Sequence, residues 1–142
     1  MTEKRVLQVL VAIACLLPLL VGGQGILMGP APFGHLVDVP RDLDSHFRYI
    51  SGIFFATGIG FASCIPAIEA KGPRFRLLGM LIVVGGVARG VSLIDVGVPS
   101  TGHLLGLGME TVVVPLLMLW QARLSQRYRR GSRPGPMSAV RR

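Results

Sequence analysis

The sequence predicts an all-α integral membrane protein, an antiparallel four-helix bundle with both termini in the cytoplasm. The first observation is composition: 51% of the 142 residues are hydrophobic and only 15% are charged, whereas soluble domains carry about 25% charged residues. The mean hydropathy of +0.59 agrees with this. The second observation is that the apolar residues form four separate runs, each long enough to cross a bilayer. The third is the distribution of Lys and Arg along the chain.

The four predicted spans cover about residues 6–28, 47–69, 75–98 and 103–124. With a rise of 1.5 Å per residue, the first span is about 34 Å long, enough for a hydrocarbon core of about 30 Å. It is also too long for the apolar region of a signal peptide. Pro115 predicts a kink in the fourth span, where the hydroxyl of Thr111 could bond to a backbone group.

The basic residues predict the orientation. The connection between the first two spans and the start of the second contain two basic residues, Arg41 and Arg48, and the connection between the last two spans contains none. Since Lys and Arg collect on the cytoplasmic side, both termini are expected in the cytoplasm of a bacterial inner membrane protein. The twelve residues on the predicted cytoplasmic side are Lys4, Arg5, Lys71, Arg74, Arg76, Arg123, Arg127, Arg129, Arg130, Arg133, Arg141 and Arg142.

Two segments outside the spans carry further expectations. Residues 1–124 are expected to form the transmembrane domain, and residues 125–142 a disordered basic cytoplasmic tail. The tail either attaches to anionic lipid headgroups or only determines topology. The connection 29–45 is expected to form a turn, with Asp44 or Ser45 as the N-cap of the second span.

Several classes of function lack support. A net charge of +8 with an isoelectric point near 11.1 can indicate nucleic-acid binding. Membrane topology explains the charge more simply here, so no nucleic-acid partner is expected. Cys15 and Cys64 lie in apolar runs without metal-ligand spacing, which favours buried thiols. No phosphate-binding loop, zinc motif or dinucleotide fingerprint occurs, so neither a cofactor nor a metal is expected.

Two opposite charges fall at the same depth in the predicted bundle. Arg89 lies roughly 10–14 Å below the outer end of the third span, and Glu110 roughly 10 Å below the same end of the fourth. A lone charge near the bilayer centre costs at least about 2.5–3.5 kcal/mol. We therefore expect an Arg89–Glu110 ion pair inside the bundle.

Other polar residues share the outer half, whereas the inner halves of the spans contain few. This distribution predicts a polar pocket that opens outward over an apolar floor. Two explanations stay open at this stage: a site for a small ligand, a quinone-like headgroup, a proton or an ion, or a buried network that fixes helix register. The candidate residues are Gln24, Arg48, Tyr49, Arg89, Ser92, Asp95, His103 and Glu110.

Spaced glycines predict close helix packing. Gly79, Gly86 and Gly90 form one stripe on the third span, and Gly102 and Gly106 another on the fourth. Such stripes let helices approach closely, and an oligomer interface is the second interpretation. The expected partners are membrane lipid and either a second copy of the chain or a partner subunit.

The polar positions also carry a family resemblance. HFRYISGIFFATGIGF and IPAIE, then FRLLGMLIVVGGVARGVSL, then a glutamate followed by PLLMLWQ, resemble the small four-span bacterial proteins grouped as a domain of unknown function, DUF4345. The resemblance covers roughly Val6 to Arg123. It includes Arg48, Arg89 and Glu110 but implies a fold without an activity. In size and layout the chain is more distantly similar to the DoxX-like four-helix membrane proteins.

The favoured hypothesis is therefore a multi-pass membrane protein that acts as a non-enzymatic membrane component or a small-ligand binder, with a buried Arg89–Glu110 pair. The alternative is a membrane enzyme or a transporter that uses the outward-opening pocket, with Glu110 as proton acceptor and Arg89 holding an anionic group.

Overall fold

A computed structural model describes residues 2–34 and 37–131, and within these ranges all regular structure is helical. A 3₁₀ turn, Ile65–Ala67, follows the third helix, and a π-helical turn, Met109–Val113, joins the last two. The helices are α1 (Thr2–Met28), α2 (Ala31–Gly34), α3 (Arg41–Ala62), α4 (Gly72–Asp95), α5 (Thr101–Gly108) and α6 (Val114–Gly131).

Four helical segments are long and apolar enough to cross a membrane. They are Glu3–Met28, Arg41–Ala67, Gly72–Asp95 and Thr101–Gly131. The all-α class and the four segments of membrane-spanning character are thus confirmed. Large apolar side chains on these helices remain exposed, for example Leu20, Val84 and Leu119. Exposed apolar faces of this extent suit a hydrocarbon environment rather than water.

The boundaries of all four spans differ from the prediction, most of all at the start of the second and the end of the fourth. The second span begins at Arg41, after Pro40 in the N-cap position, and no side chain caps it. The expected N-cap at Asp44 or Ser45 was therefore wrong. Asp44 lies in the first turn instead, where a negative charge is favourable beside the positive end of the helix dipole.

The fourth span is longer than predicted. α6 continues to Gly131, so residues 125–131, which the prediction assigned to a disordered tail, are helical. Tertiary contacts explain the extension, because Leu124 and Ser125 are buried and Arg127 bonds to Glu3. Residues 132–142 of the predicted tail lie outside the described ranges.

The helices pack mainly in two pairs. The first helix pair is α1 with α3, and the second helix pair is α4 with the segment from Thr101 to Gly131. In the first pair, a Cβ atom on Gly22 would lie 2.8 Å from the backbone nitrogen of Phe55, so only glycine permits this approach. In the second pair, a Cβ on Gly79 would collide with Met118.

The polar side-chain contacts between the two pairs lie at one end of the molecule. We call it the basic end, where residues 3–8, 65–76 and 120–131 meet. Within the described residues, the indole of Trp120 donates to Glu3 at 3.1 Å, and the amide of Gln121 donates to the carbonyl of Ile68 at 2.7 Å. Next to these contacts, Phe61 and Phe75 pack edge to face with ring centroids 5.1 Å apart.

The buried apolar core begins at the basic end and continues along the helices as far as Cys15 and Leu117. Cys15 and Cys64 belong to it and are free thiols, as predicted. The remaining members come from α1, from α3 and the turn that follows it, and from α4 and α6. They are Leu7, Val11, Phe61, Ile68, Phe75, Leu117 and Leu124.

Candidate functional site

Arg89 and Glu110 form a bidentate ion pair between α4 and the π-helical turn. Arg89 donates from Nε to Oε2 of Glu110 at 3.0 Å and from Nη2 to Oε1 at 3.1 Å. The Glu110 side chain is only 11% exposed, and that of Arg89 is 35% exposed. Two parallel hydrogen bonds between ionised groups are the strongest form of this contact. The pair that the depth comparison predicted is present, with the carboxylate as its buried partner.

The π-helical turn positions Glu110. Proline has no backbone N–H and cannot continue the hydrogen-bond ladder of an α-helix, and Pro115 directly follows this region. Before it, the backbone N–H of Val114 donates to the carbonyl of Met109, five residues back. The hydroxyl of Thr111 donates to the carbonyl of Leu107 at 2.7 Å, one turn earlier. Thr111 thus bonds to a backbone group here, as the sequence suggested.

Gly86 permits the close approach of α4 to this turn. A Cβ atom at Gly86 would lie 2.8 Å from the Cβ of Glu110 and 3.0 Å from Cγ2 of Thr111. Both distances are shorter than a normal contact between carbon atoms. Of the predicted stripe, Gly79 and Gly86 serve packing, whereas Gly90 has open space around it.

The second predicted stripe has no packing role among the residues that the structure describes. Added Cβ atoms at Gly102 and Gly106 would meet nothing within 4 Å. The close approach of the second helix pair therefore depends on the glycines of α4 alone.

An apolar cavity lies between the two helix pairs. Its empty volume is about 560 Å³, including the space at its open side. Glu110 is the one acidic residue of its lining. The rest of the wall is mainly aliphatic and aromatic and includes Val11, Cys15, Phe54, Phe75, Ile82 and Leu117. The cavity differs from the expected pocket because its wall is apolar and extends toward the basic end.

Most of the predicted pocket residues lie away from this cavity. Only Glu110 of the eight candidates lines it, and Arg89 reaches it through Glu110. His103 bonds locally to the hydroxyl of Ser100 at 3.0 Å. The structure therefore brings Arg89 and Glu110 together and does not gather the other candidates around them. The exposed candidates are Gln24, Tyr49, Ser92, Asp95 and His103.

Arg48 caps a helix end. Its Nη1 donates to the carbonyls of Ile26 at 2.6 Å and Leu27 at 3.1 Å, and its Nε donates to Asp44 at 2.8 Å. The last carbonyls of a helix lack intrahelical donors, and Arg48 supplies donors at the end of α1. Gly29 follows with a φ of 69°, a conformation that favours glycine. Arg48 thus has a structural role in the fold and does not line the cavity.

Sequence analysis missed a polar cluster at the basic end, where few polar groups were expected. Gln121 is fully buried, and its Oε1 atom has no hydrogen-bond partner in the described part of the chain. Gln8 donates to the carbonyl of Ile65 at 2.7 Å, and Lys4 pairs with Glu69 at 2.8 Å. The available signal was a glutamine within each of two apolar runs. Buried amides of this kind commonly satisfy backbone groups where a helix ends.

Metal binding has no support in the geometry of residues 2–34 and 37–131. No group of three or more His, Cys, Asp or Glu side chains in these ranges is placed to hold a metal ion.

In the described residues, these features define an all-helical protein with four helices of membrane-spanning length and apolarity and a partly buried ion pair between two of them. The chain belongs to the DUF4345 family, described as a domain of unknown function, whose model matches residues 6–121. No curated protein and no solved structure matches the chain. The family description assigns no biochemical role.

Proposed function

We propose that the protein is a multi-pass protein of the bacterial inner membrane, an antiparallel four-helix bundle with both termini cytoplasmic. Contacts near the two ends of the first helix pair support the antiparallel arrangement, since Lys4 reaches Glu69 and Arg48 reaches Ile26. Along the second pair, Gly79 faces Met118 and Gly86 faces Glu110. The excess of Lys and Arg at the basic end supports the orientation.

The function that the site supports best is the binding of a small, largely apolar molecule that carries a hydrogen-bond donor. The observation behind this proposal is the apolar cavity between the helix pairs, whose lining includes Glu110 as its one acidic residue. Each oxygen of Glu110 accepts one hydrogen bond from Arg89, and a carboxylate oxygen can accept more than one. A hydroxyl or amine of the ligand would complete this shell, and aliphatic walls would hold its apolar part.

The ion pair contributes to binding by balancing charge inside the site. Arg89 compensates the charge by a bidentate contact from α4. A neutral molecule with one donor group is therefore the matching ligand, because the site already balances its own charge.

The test is identification of molecules that co-purify with the full-length protein, by native mass spectrometry and lipid analysis. Ala14 lines the cavity, so Ala14→Phe should fill part of it and remove the bound molecule. Ala12 is exposed on the same helix, and Ala12→Phe is the matched control. Equal retention of the molecule in both variants would exclude the cavity as its site.

A second candidate function is transport or catalysis with Glu110 as proton acceptor. The π-helical turn at Glu110 favours it, since such turns occur frequently at functional sites. Glu110→Gln separates a site from a purely structural pair. A folded, normally abundant variant that has lost binding or activity would support a site. A variant whose sole defect is lower abundance and stability would support a structural pair.

The proposed partners are membrane lipid, along the exposed apolar helix faces, and a second copy of the chain or a partner subunit. Gly102 and Gly106, with open space around them, are available to such a contact.

A further inference from the structure

A groove at the basic end lies between the start of α4 and the last turns of α6. It is separate from the apolar cavity and has an empty volume of about 420 Å³, including its open side. Polar and apolar atoms line it in equal measure, unlike the cavity. Its lining includes Gly72, Arg76, Ser125, Gln126 and Arg129.

Two guanidinium groups in this groove lack an acidic partner. The ion pairs of the described residues involve Lys4, Arg48, Arg89 and Arg127, and neither Arg76 nor Arg129 belongs to them. Residues 132–142 contain no Asp or Glu side chain that could neutralise the groove. The groove therefore presents positive charge that no acidic side chain of the described residues or of 132–142 balances.

A serine hydroxyl lines the same space. Ser125 is only 8% exposed and makes no side-chain hydrogen bond within the described part of the chain, while its Oγ atom still reaches the groove. An acceptor bound in the groove would receive a hydrogen bond from this hydroxyl.

The first turn of α4 adds the backbone N–H groups of Gly72 and Arg74, since Pro73 has none and that of Phe75 bonds to Lys71. The helix begins at Gly72, and no side chain caps it. The positive end of a helix of this length favours an anion. Two guanidinium groups, a hydroxyl and a helix start around one groove match the oxygen atoms of a phosphate group.

The position of the groove indicates which kind of molecule would supply the phosphate group. It lies where the apolar part of α6 gives way to its basic turns, just beyond the level of Trp120 along the helix axis. Tryptophan favours the headgroup region of a bilayer. We propose that this groove binds the phosphate of an anionic phospholipid headgroup at the basic end. The proposal is independent of the apolar cavity and of what the cavity binds.

The test measures lipid binding to the full-length protein by native mass spectrometry, with phosphatidylglycerol and phosphatidylcholine as probes. The double variant Arg76→Gln/Arg129→Gln is compared with Arg123→Gln/Arg130→Gln, which removes the same charge from exposed residues outside the groove. We expect the groove variant to lower affinity for phosphatidylglycerol by about tenfold or more and the control variant by less than about twofold.

Ser125→Ala keeps both arginines and provides a variant that should fold normally. It should weaken phosphatidylglycerol binding by about threefold or more, because it removes one donor. Equal losses in the groove and control double variants would overturn the proposal in favour of nonspecific attraction. Unchanged binding in Ser125→Ala and in the groove variant would overturn it too. Release of the lipid by millimolar inorganic phosphate would assign the groove to a soluble phosphate instead.

Discussion

Replacement of Gly86 by alanine tests how α4 meets the π-helical turn. The added Cβ would lie 2.8 Å from the Cβ of Glu110, whereas carbon atoms prefer about 3.5–4.0 Å. The helices must therefore separate locally by about 0.7 Å or more. The same shift would stretch the bonds between Arg89 and Glu110 from 3.0 and 3.1 Å beyond the usual range for hydrogen bonds. Overpacking of this kind costs about 1–3 kcal/mol.

Gly85→Ala is the matched control, because a Cβ at Gly85 would meet nothing within 4 Å. Alanine gains up to about 1 kcal/mol of helix propensity over glycine, and this gain applies to both variants. The difference between the variants therefore isolates the collision at Gly86. Thermal unfolding of the two purified variants in the same detergent measures it. If Gly86→Ala melts at or above the temperature of Gly85→Ala, the close approach of α4 to Glu110 does not stabilise the protein.

Two further predictions concern the ends of the helices. Arg48→Lys should lower the free energy of unfolding, since the single nitrogen of lysine replaces the separate guanidinium nitrogens that reach Asp44 and the last carbonyls of α1. Arg41→Lys, at an exposed site, is its control in the same detergent unfolding assay, and equal effects would refute the capping role. At Glu69, burial raises the pKa, but the hydrogen bond and the charge of Lys4, together with a backbone hydrogen bond, outweigh it and leave the pKa below its usual value near 4.5. Its contribution to stability should thus be present above pH 4.5 and lost as the pH falls below it. Melting temperature followed against pH should show this loss in the wild type and not in Glu69→Gln.

The depth of a polar residue along its helix could be predicted from the sequence. The direction in which its side chain points around the helix axis could not. The fixed rise per residue placed Arg89 and Glu110 at one level, and the cost of an isolated charge required them to meet. The same comparison of depth placed Ser92 and His103 near the ion pair, but both residues are exposed on the outside of the helices. Their rotation depends on how the helix pairs pack, which depth does not determine.

The cavity could not be predicted from the sequence for a related reason. It exists because two tightly packed helix pairs meet less closely with each other than within themselves. Residues such as Val11, Phe54 and Leu117 would look the same in a sequence if they filled the space between the pairs. Arg48 was wrongly assigned to the predicted pocket because its partners are the backbone carbonyls at the end of α1. Every residue has a backbone carbonyl, so the sequence does not mark these as partners.

The ion pair has a consequence for synthesis. Ribosomes make Arg89 before Glu110, so the third span leaves the translation machinery with a charge whose partner is 21 residues away. Left alone in the bilayer, that arginine would cost at least about 2.5–3.5 kcal/mol. A hairpin of α4 and the segment from Thr101 avoids this intermediate, because it delivers both charges together. We therefore expect the second half of the chain to enter the membrane as one unit, with the short connection 96–100 as its leading edge.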